Sequence, residues 1–240
     1  MSRNVLFETD RLIAVSKPAG LPVIPGRGDL KENTLQKEVQ RYLNRKPLIV
    51  HRIDKATSGI VLFAKDADAQ RKISFMFEGR KVDKTYHAVV AGILRDHGTI
   101  DEPLRIFGSG RTGVSPDGKP SVTHYKIRKE LKGATYLVVK IETGRRHQIR
   151  AHLNHIGHPI LGDTRYGARS LMQACEAGAE LGEHAAPERS ERDGPRRTVG
   201  GVQRLMLHAR YLGFSGFGPK KIEITDEPGE DFLAVVKKHT

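Results

Sequence analysis

The segment His51-Arg-Ile-Asp-Lys-Ala-Thr-Ser-Gly-Ile-Val-Leu-Phe-Ala64 changes character in its middle. It begins loop-like and polar, and from Gly59 to Ala64 it carries no polar side chain. A short apolar run bounded by polar signals reads as a buried strand. Upstream, Val5-Leu6-Phe7 and Leu12-Ile13-Ala14-Val15 flank Glu8-Thr9-Asp10 and predict a hairpin. Lys17-Pro18-Ala19-Gly20 stops the second strand, and Pro22, Pro25, Gly26 and Gly28 prolong a loop. Thr34 is placed to cap a helix bearing Leu35, Val39, Tyr42 and Leu43 on one face, with Pro47 beyond its end. Downstream, Asp66 reads as the N-cap of a helix with Ile73, Met76 and Phe77 inward, stopped at Gly79.

Further strands are predicted at Lys84 to Val90, Val122 to Arg128, Ala134 to Glu142 and Leu205 to Phe214. Gly108 to Lys119, rich in Gly, Ser and Pro, reads as an exposed loop. Arg146 to Ile156 reads as a short helix, with Ile149, Leu153 and Ile156 inward and Gly157 as its stop, and Phe232 to Lys237 as a terminal helix. Strands in hairpin-like order with few helices predict an α+β fold with a large mixed, mainly antiparallel sheet and flanking helices. Residues 168–203 have a sparse apolar pattern and read as an insertion, part helix and part mobile loop, within a single domain spanning 1–240.

The 240 residues carry 41 Lys+Arg against 28 Asp+Glu, a net charge of +13. Hydrophobic residues make up 38%, and the mean hydropathy is −0.47. The longest apolar run, Ala88 to Leu94, is too short to span a bilayer, and the N-terminal apolar stretch is too short for a signal peptide. With one cysteine, Cys175, a disulfide framework is impossible within the chain, so a cytoplasmic protein is expected. The basic excess favours a polyanionic partner. Residues 168–203 hold 5 Lys+Arg and 6 Asp+Glu, so the excess belongs to the rest of the chain.

Three groups of residues could carry chemistry. Asp54 lies between Arg52 and Lys55 just before the Gly59 strand; an ionised carboxylate there can act as nucleophile or general base. For a lone Asp in a polar loop the more ordinary role is to cap its own loop through Thr57 and Ser58. In Lys84-Thr85-Tyr86-His87-Ala88, alternation puts Lys84 and Tyr86 on one face, where Tyr86 either stacks on a base or fills the core. Thr143 to Gly162 holds three arginines, four histidines and no acid, with Arg146 and Arg150 spaced for one helix face near a helix start. That face either binds phosphate or carboxylate or is simply solvated. A metal site among His147, His152, His155 and His158 is not expected, since arginines repel a cation and no Cys, Asp or Glu completes a set before Asp163. No phosphate-binding glycine loop is present, and no Gly-x-Ser-x-Gly elbow supports a Ser–His–Asp triad.

Taken in order, Lys17-Pro-Ala-Gly20, His51 to Gly59, Lys84 to Ala88, Thr143-Gly-Arg-Arg-His-Gln-Ile-Arg150 with Gly157-His-Pro-Ile-Leu-Gly-Asp163, and Leu207-His-Ala209 resemble the RluA family of RNA pseudouridine synthases. The resemblance spans about Leu6 to Phe214 apart from 168–203, and the two long blocks carry its specificity. It implies a central RNA-binding cleft in which Asp54 is the catalytic aspartate and Tyr86 stacks on the target uracil. Arg150 pairs with the carboxylate, and Arg52 fills the space left by a flipped nucleotide. It also implies RNA contacts from Lys84, Arg145, Arg146 and His147. Arg146 stands where many relatives carry a smaller polar residue. The resemblance is to compact members with no S4-like domain before the core. The implied protein is a monomeric isomerase acting on ribosomal RNA, transfer RNA or both, without cofactor or metal. The alternatives from other classes are a non-catalytic RNA-binding or chaperone protein on the same fold, and a cofactor-free hydrolase acting on nucleic acid.

Overall fold

The Gly59 run is a central strand of one sheet in the computed structural model, which describes residues 4–26, 33–166 and 202–240. The elements in chain order are β1 (Val5–Glu8), β2 (Leu12–Lys17), α1 (Leu35–Leu43), β3 (Leu48–Ile49), β4 (Ser58–Ala64), α2 (Ala67–Glu78), β5 (Asp83–Ala91), β6 (Gly98–Asp101), β7 (Leu104–Ile106) and β8 (Thr112–Val114). They continue with β9 (Val122–Leu131), β10 (Ala134–Ile141), α3 (Gln148–His155), β11 (Leu207–Phe214), β12 (Ile222–Thr225) and α4 (Glu230–Lys238). Ten strands form the main sheet along the path β1-β2-β4-β11-β5-β10-β9-β6, with β3 beside β4 and β12 beside β11.

Among the described residues, every pairing is antiparallel except β4 with β11. That parallel contact is two residue pairs long, His208 with Ser58 and Ala209 with Gly59. Gly59 has φ +111, and a Cβ there would overlap the Ala209 backbone, so glycine is required at the point where the two strands meet.

β4 is buried at all seven positions because both its faces are covered. Val61 and Phe63 pack with Leu35 and Val39 of α1, while Ile60 and Leu62 pack with Ala69 and Ile73 of α2. Full burial of such side chains is worth about 1.5–3 kcal/mol each, which fixes the register of β4 and the loop before it. The other half of the sheet carries a third cluster that joins Ala88, Leu137 and Val139 to Ile149 and Leu153 of α3 and to Phe232 of α4. No described helix is long and apolar enough to cross a membrane.

The predicted caps hold: Thr34 accepts from Lys37 N–H and Asp66 from Ala69 N–H. Two expectations need correction. Part of the Gly108–Lys119 stretch is ordered as β8, which pairs with β7 in a separate two-stranded hairpin. The third helix starts at Gln148, not Arg146, because His147 adopts a left-handed conformation at φ +53. Arg146 is therefore exposed ahead of the helix, Arg150 is buried within it, and the two share no face. Residues 168–201 of the expected insertion lie outside the described residues, as does Gly28.

Candidate active site

The loop carrying Asp54 is held at both ends. His51 accepts the Leu62 N–H at its Nε2 (2.9 Å), and its ring stacks on Phe77 at 4.7 Å. Burial of that ring, reinforced by the charge of Lys84, pushes its pKa down to about 3, so it serves as a neutral acceptor. The far end is held by Lys17, whose ammonium donates to the carbonyls of Pro18, Leu21 and Lys55 at 2.7–3.0 Å. Gly20 N–H donates to the same Lys55 carbonyl at 2.8 Å. Burial draws the pKa of Lys17 down to about 7, against the opposing pull of Asp54.

Between these clamps the Asp54 carboxylate makes no cap with Thr57 or Ser58. Thr57 N–H reaches only the backbone carbonyl of Asp54 (3.1 Å), and the Ser58 hydroxyl faces His208. The carboxylate turns instead toward the start of α3. Its Oδ2 accepts from Arg150 Nη1 at 2.9 Å, and its Oδ1 lies 3.7 Å from His147 Nε2. Arg150 is 6% exposed. Its other edge forms a bidentate pair with the buried Asp163, at 2.7 and 2.9 Å. Burial works against the guanidinium, but Asp163 and then Asp54 outweigh it and raise its pKa above the ordinary value. Asp163 is oriented in turn by the backbone N–H groups of Arg165 and Tyr166.

These groups line a cleft whose empty space, open to solvent, is about 460 Å³. Arg52, Asp54, Tyr86, Gly144, Arg145, His147, Gln148 and Arg150 are among its walls. Tyr86 enters from β5; burial, with the charge of Asp54, pushes its phenol pKa up, so the hydroxyl stays protonated at neutral pH. Tyr86 also packs against the core, while its position in the cleft wall leaves it beside the open space. Gln148 ties the Thr143–Arg145 loop to β9, accepting from Thr143 Oγ1 and Arg145 N–H while donating to Val122 O and Thr123 Oγ1.

Of the eight site residues expected from sequence, Arg52, Asp54, Tyr86, Arg145, His147 and Arg150 meet in this cleft. Lys84 is buried behind it, its Nζ close to Gly144, and burial together with Arg80 lowers its pKa. Arg146 is exposed and does not line the cleft. The sequence assigns no role to Asp163, Gln148 or Tyr166, although the Gly-Asp163 motif is visible in it; what they do depends on contacts between separate segments. His152 bonds Thr123 Oγ1 and the Glu102 carbonyl, and His158 the Ala91 carbonyl. Among the described residues no group of three or more His, Cys, Asp or Glu is placed to hold a metal ion.

Comparison with known proteins leads to the same place. A family model described as RNA pseudouridylate synthase matches residues 11–155. "Ribosomal large subunit pseudouridine synthase D" of Haemophilus influenzae is 41% identical over 172 residues, covering 69% of this chain and 53% of the relative. The protein of that name from Pseudomonas aeruginosa is 38% identical over 215 residues, covering 87% and 62%. The chain thus spans about half the length of the first of these relatives. Among solved structures, human RNA Pseudouridylate Synthase Domain Containing 4 superposes with a TM-score of 0.72 at 22% identity, covering 99% of this chain and 93% of that one. Its human counterpart Domain Containing 1 gives 0.71 at 24%, covering 94% and 83%. These two likenesses bear on the fold, and the family match takes in the Asp54, Tyr86 and Arg150 segments: the chain belongs to the RNA pseudouridylate synthase family, and to its RluA branch.

Proposed function

We propose that this protein isomerises uridine to pseudouridine in RNA, with Asp54 as the reacting carboxylate. The observation that carries the reading is the Asp54–Arg150 pair, 2.9 Å apart on the wall of a cleft that Tyr86 also lines. The reaction breaks the C1′–N1 bond, turns the uracil while it remains trapped, and joins C5 to C1′. The proton on C5 leaves and N1 regains one, so the net change is an isomerisation. A single carboxylate suffices to start it, by attack or by proton removal, and Arg150 keeps that carboxylate aimed. The protonated Tyr86 offers a ring face to the uracil and a hydroxyl to its edge.

A base must leave its stack to enter the cleft, at a cost of a few kcal/mol. The exposed Arg52 beside Asp54 is positioned to fill the gap and offset part of that cost. Arg145 and Arg146, with Lys84 behind the wall, supply positive charge for phosphates. The described residues share one main sheet, which supports reading them as a single catalytic domain. The names of the curated relatives make large-subunit ribosomal RNA the substrate to test first, ahead of transfer RNA.

The test is tritium release from RNA labelled at uridine C5. Release is expected from the wild type, with a loss of at least about 10³-fold in Asp54→Asn and no change in melting temperature beyond a few degrees. Wild-type turnover by Asp54→Asn would falsify the assignment. Binding without release would favour a non-catalytic RNA-binding protein, and chain cleavage a hydrolase.

A further inference from the structure

Tyr166 is 1% exposed and touches Arg150, Asp163 and His147, three of the groups around Asp54. Its ring lies 5.0 Å from the Arg150 guanidinium on one contact and 5.0 Å from that of Arg111 on another. Its N–H donates to Asp163 Oδ1 at 3.0 Å. Its hydroxyl lies 2.9 Å from His147 Nδ1 and also receives the Thr112 N–H at 3.1 Å.

Proton bookkeeping at that hydroxyl has one good solution. The oxygen already accepts from Thr112, and no other acceptor among the described residues lies within hydrogen-bonding reach of its proton. The O–H therefore points at His147 Nδ1, which must be the unprotonated nitrogen. A neutral imidazole then carries its proton on Nε2, the nitrogen that faces Asp54 Oδ1 at 3.7 Å. Burial, with Arg150, Arg146 and Arg165 nearby, holds the ring neutral by lowering its pKa to about 4, despite the pull of Asp54.

We propose that Tyr166 is a positioning residue that locks His147 as the Nε2–H tautomer, so that an uncharged N–H faces Oδ1 of Asp54 while Arg150 holds Oδ2. The two carboxylate oxygens thereby become inequivalent. Oδ2 is committed to a guanidinium; Oδ1, faced at a looser distance, is the oxygen left to react. The spacing of 3.7 Å suits a contact that tightens when substrate enters. The role for Oδ1 rests on Asp54 being the reacting group, whereas the tautomer does not.

The first measurement is made on the wild-type protein without RNA, by two-bond 1H–15N correlation spectra of histidine-labelled material at pH 7. The Nε2–H pattern is expected for His147; the Nδ1–H pattern would overturn the proposal without any variant. In Tyr166→Phe, Nδ1 loses its donor and becomes free to take up a proton, so the His147 titration should move up by about one unit. Single-turnover isomerisation should slow by about tenfold, with half-saturating RNA changed by less than about twofold. His147→Gln keeps an N–H donor without a titration and should retain at least about fivefold more rate than His147→Ala. A Tyr166→Phe protein with unchanged titration and unchanged rate would sink the proposal. Asp54→Asn in the same assay separates the two failures: if it turns over normally, the reading of Asp54 falls, while the spectra still decide the tautomer.

Discussion

Two of the places where this fold brings a hydroxyl, an imidazole and a carboxylate together differ in what surrounds them: one opens on the cleft and the other is buried. At the cleft these are Tyr166, His147 and Asp54. In the buried set, Ser58 Oγ lies 2.9 Å from His208 Nδ1, His208 Nε2 donates to the Asp226 carbonyl at 2.8 Å, and Ser16 donates to Asp226 Oδ2 at 2.6 Å. The second set has the composition of a hydrolytic triad and none of its accessibility. Ser58, His208 and Asp226 are buried, and Arg204 donates to the Ser58 hydroxyl at 2.6 Å, occupying a lone pair a nucleophile needs. The Ser58 hydroxyl and both nitrogens of His208 are spent on the fold. At the cleft, one carboxylate oxygen is held by a hydrogen bond and the other is not, beside space open to solvent. What separates a site from a structural network here is an uncommitted atom facing open space.

The contrast can be attacked in order of expected effect. Arg150→Ala strands the buried Asp163 and releases Asp54, so it should cost about 3–5 kcal/mol of stability and roughly 10²-fold in turnover, with RNA affinity changed by a few fold. Calorimetry and single-turnover assays read the two losses separately. Equal losses of turnover and affinity would mean that Arg150 binds RNA instead of aiming the carboxylate.

Acid should strain the buried histidines, His208 of the sealed network and His87 on the neighbouring strand, where His87 bonds the Tyr136 hydroxyl. His87 and His208 are buried and their pKa values are lowered, chiefly by that burial, to about 4 for His87. The unfolded chain binds protons near pH 6.5, where the fold cannot, so stability is complete above that pH and declines as pH falls toward 4. For His87 alone the decline is on the order of 2–3 kcal/mol by pH 4. Melting temperatures measured from pH 7.5 to 4.5 should drop accordingly; a flat profile would show that these rings are hydrated.

Ser58→Ala leaves His208 and Arg204 short of a partner and should cost about 1–3 kcal/mol while turnover stays within threefold. A loss of turnover as deep as that of Asp54→Asn would erase the distinction between the two clusters. The smallest effect is expected from Arg146→Ala, which should weaken RNA binding a few fold and reduce the salt slope by about 0.7–0.9 with turnover intact. An unchanged slope would remove Arg146 from the phosphate contacts.

The sequence was most legible where a local rule governs the outcome. Thr34 and Asp66 cap their helices because a short side-chain oxygen three residues ahead of an N–H needs no tertiary help. Asp54, Tyr86 and Arg150 are legible as motif positions, and the fold brings them to one cleft. The start of α3 was not legible, because nothing in Arg145-Arg146-His147 announces a left-handed histidine; its neighbours impose it. β8 hid behind the Gly, Ser and Pro content of Gly108–Lys119. Ser58, His208 and Asp226 are brought together only by strand pairing across 150 residues of sequence. Tyr166 hid for the same reason: it acts through Thr112 and His147, from segments far away in the chain.

The short parallel contact of β4 with β11 has a mechanical consequence. Asp54 belongs to the half-sheet on the β4 side, while Tyr86 and Arg150 belong to the half that begins at β11. Those halves are joined edge to edge by two residue pairs, closed by a glycine with no room for a methyl group. That joint acts as a gauge block: its thickness sets how far the carboxylate stands from the guanidinium and the phenol. A side chain at Gly59 would wedge the halves apart and carry the Asp54 carboxylate away from Arg150 and Tyr86.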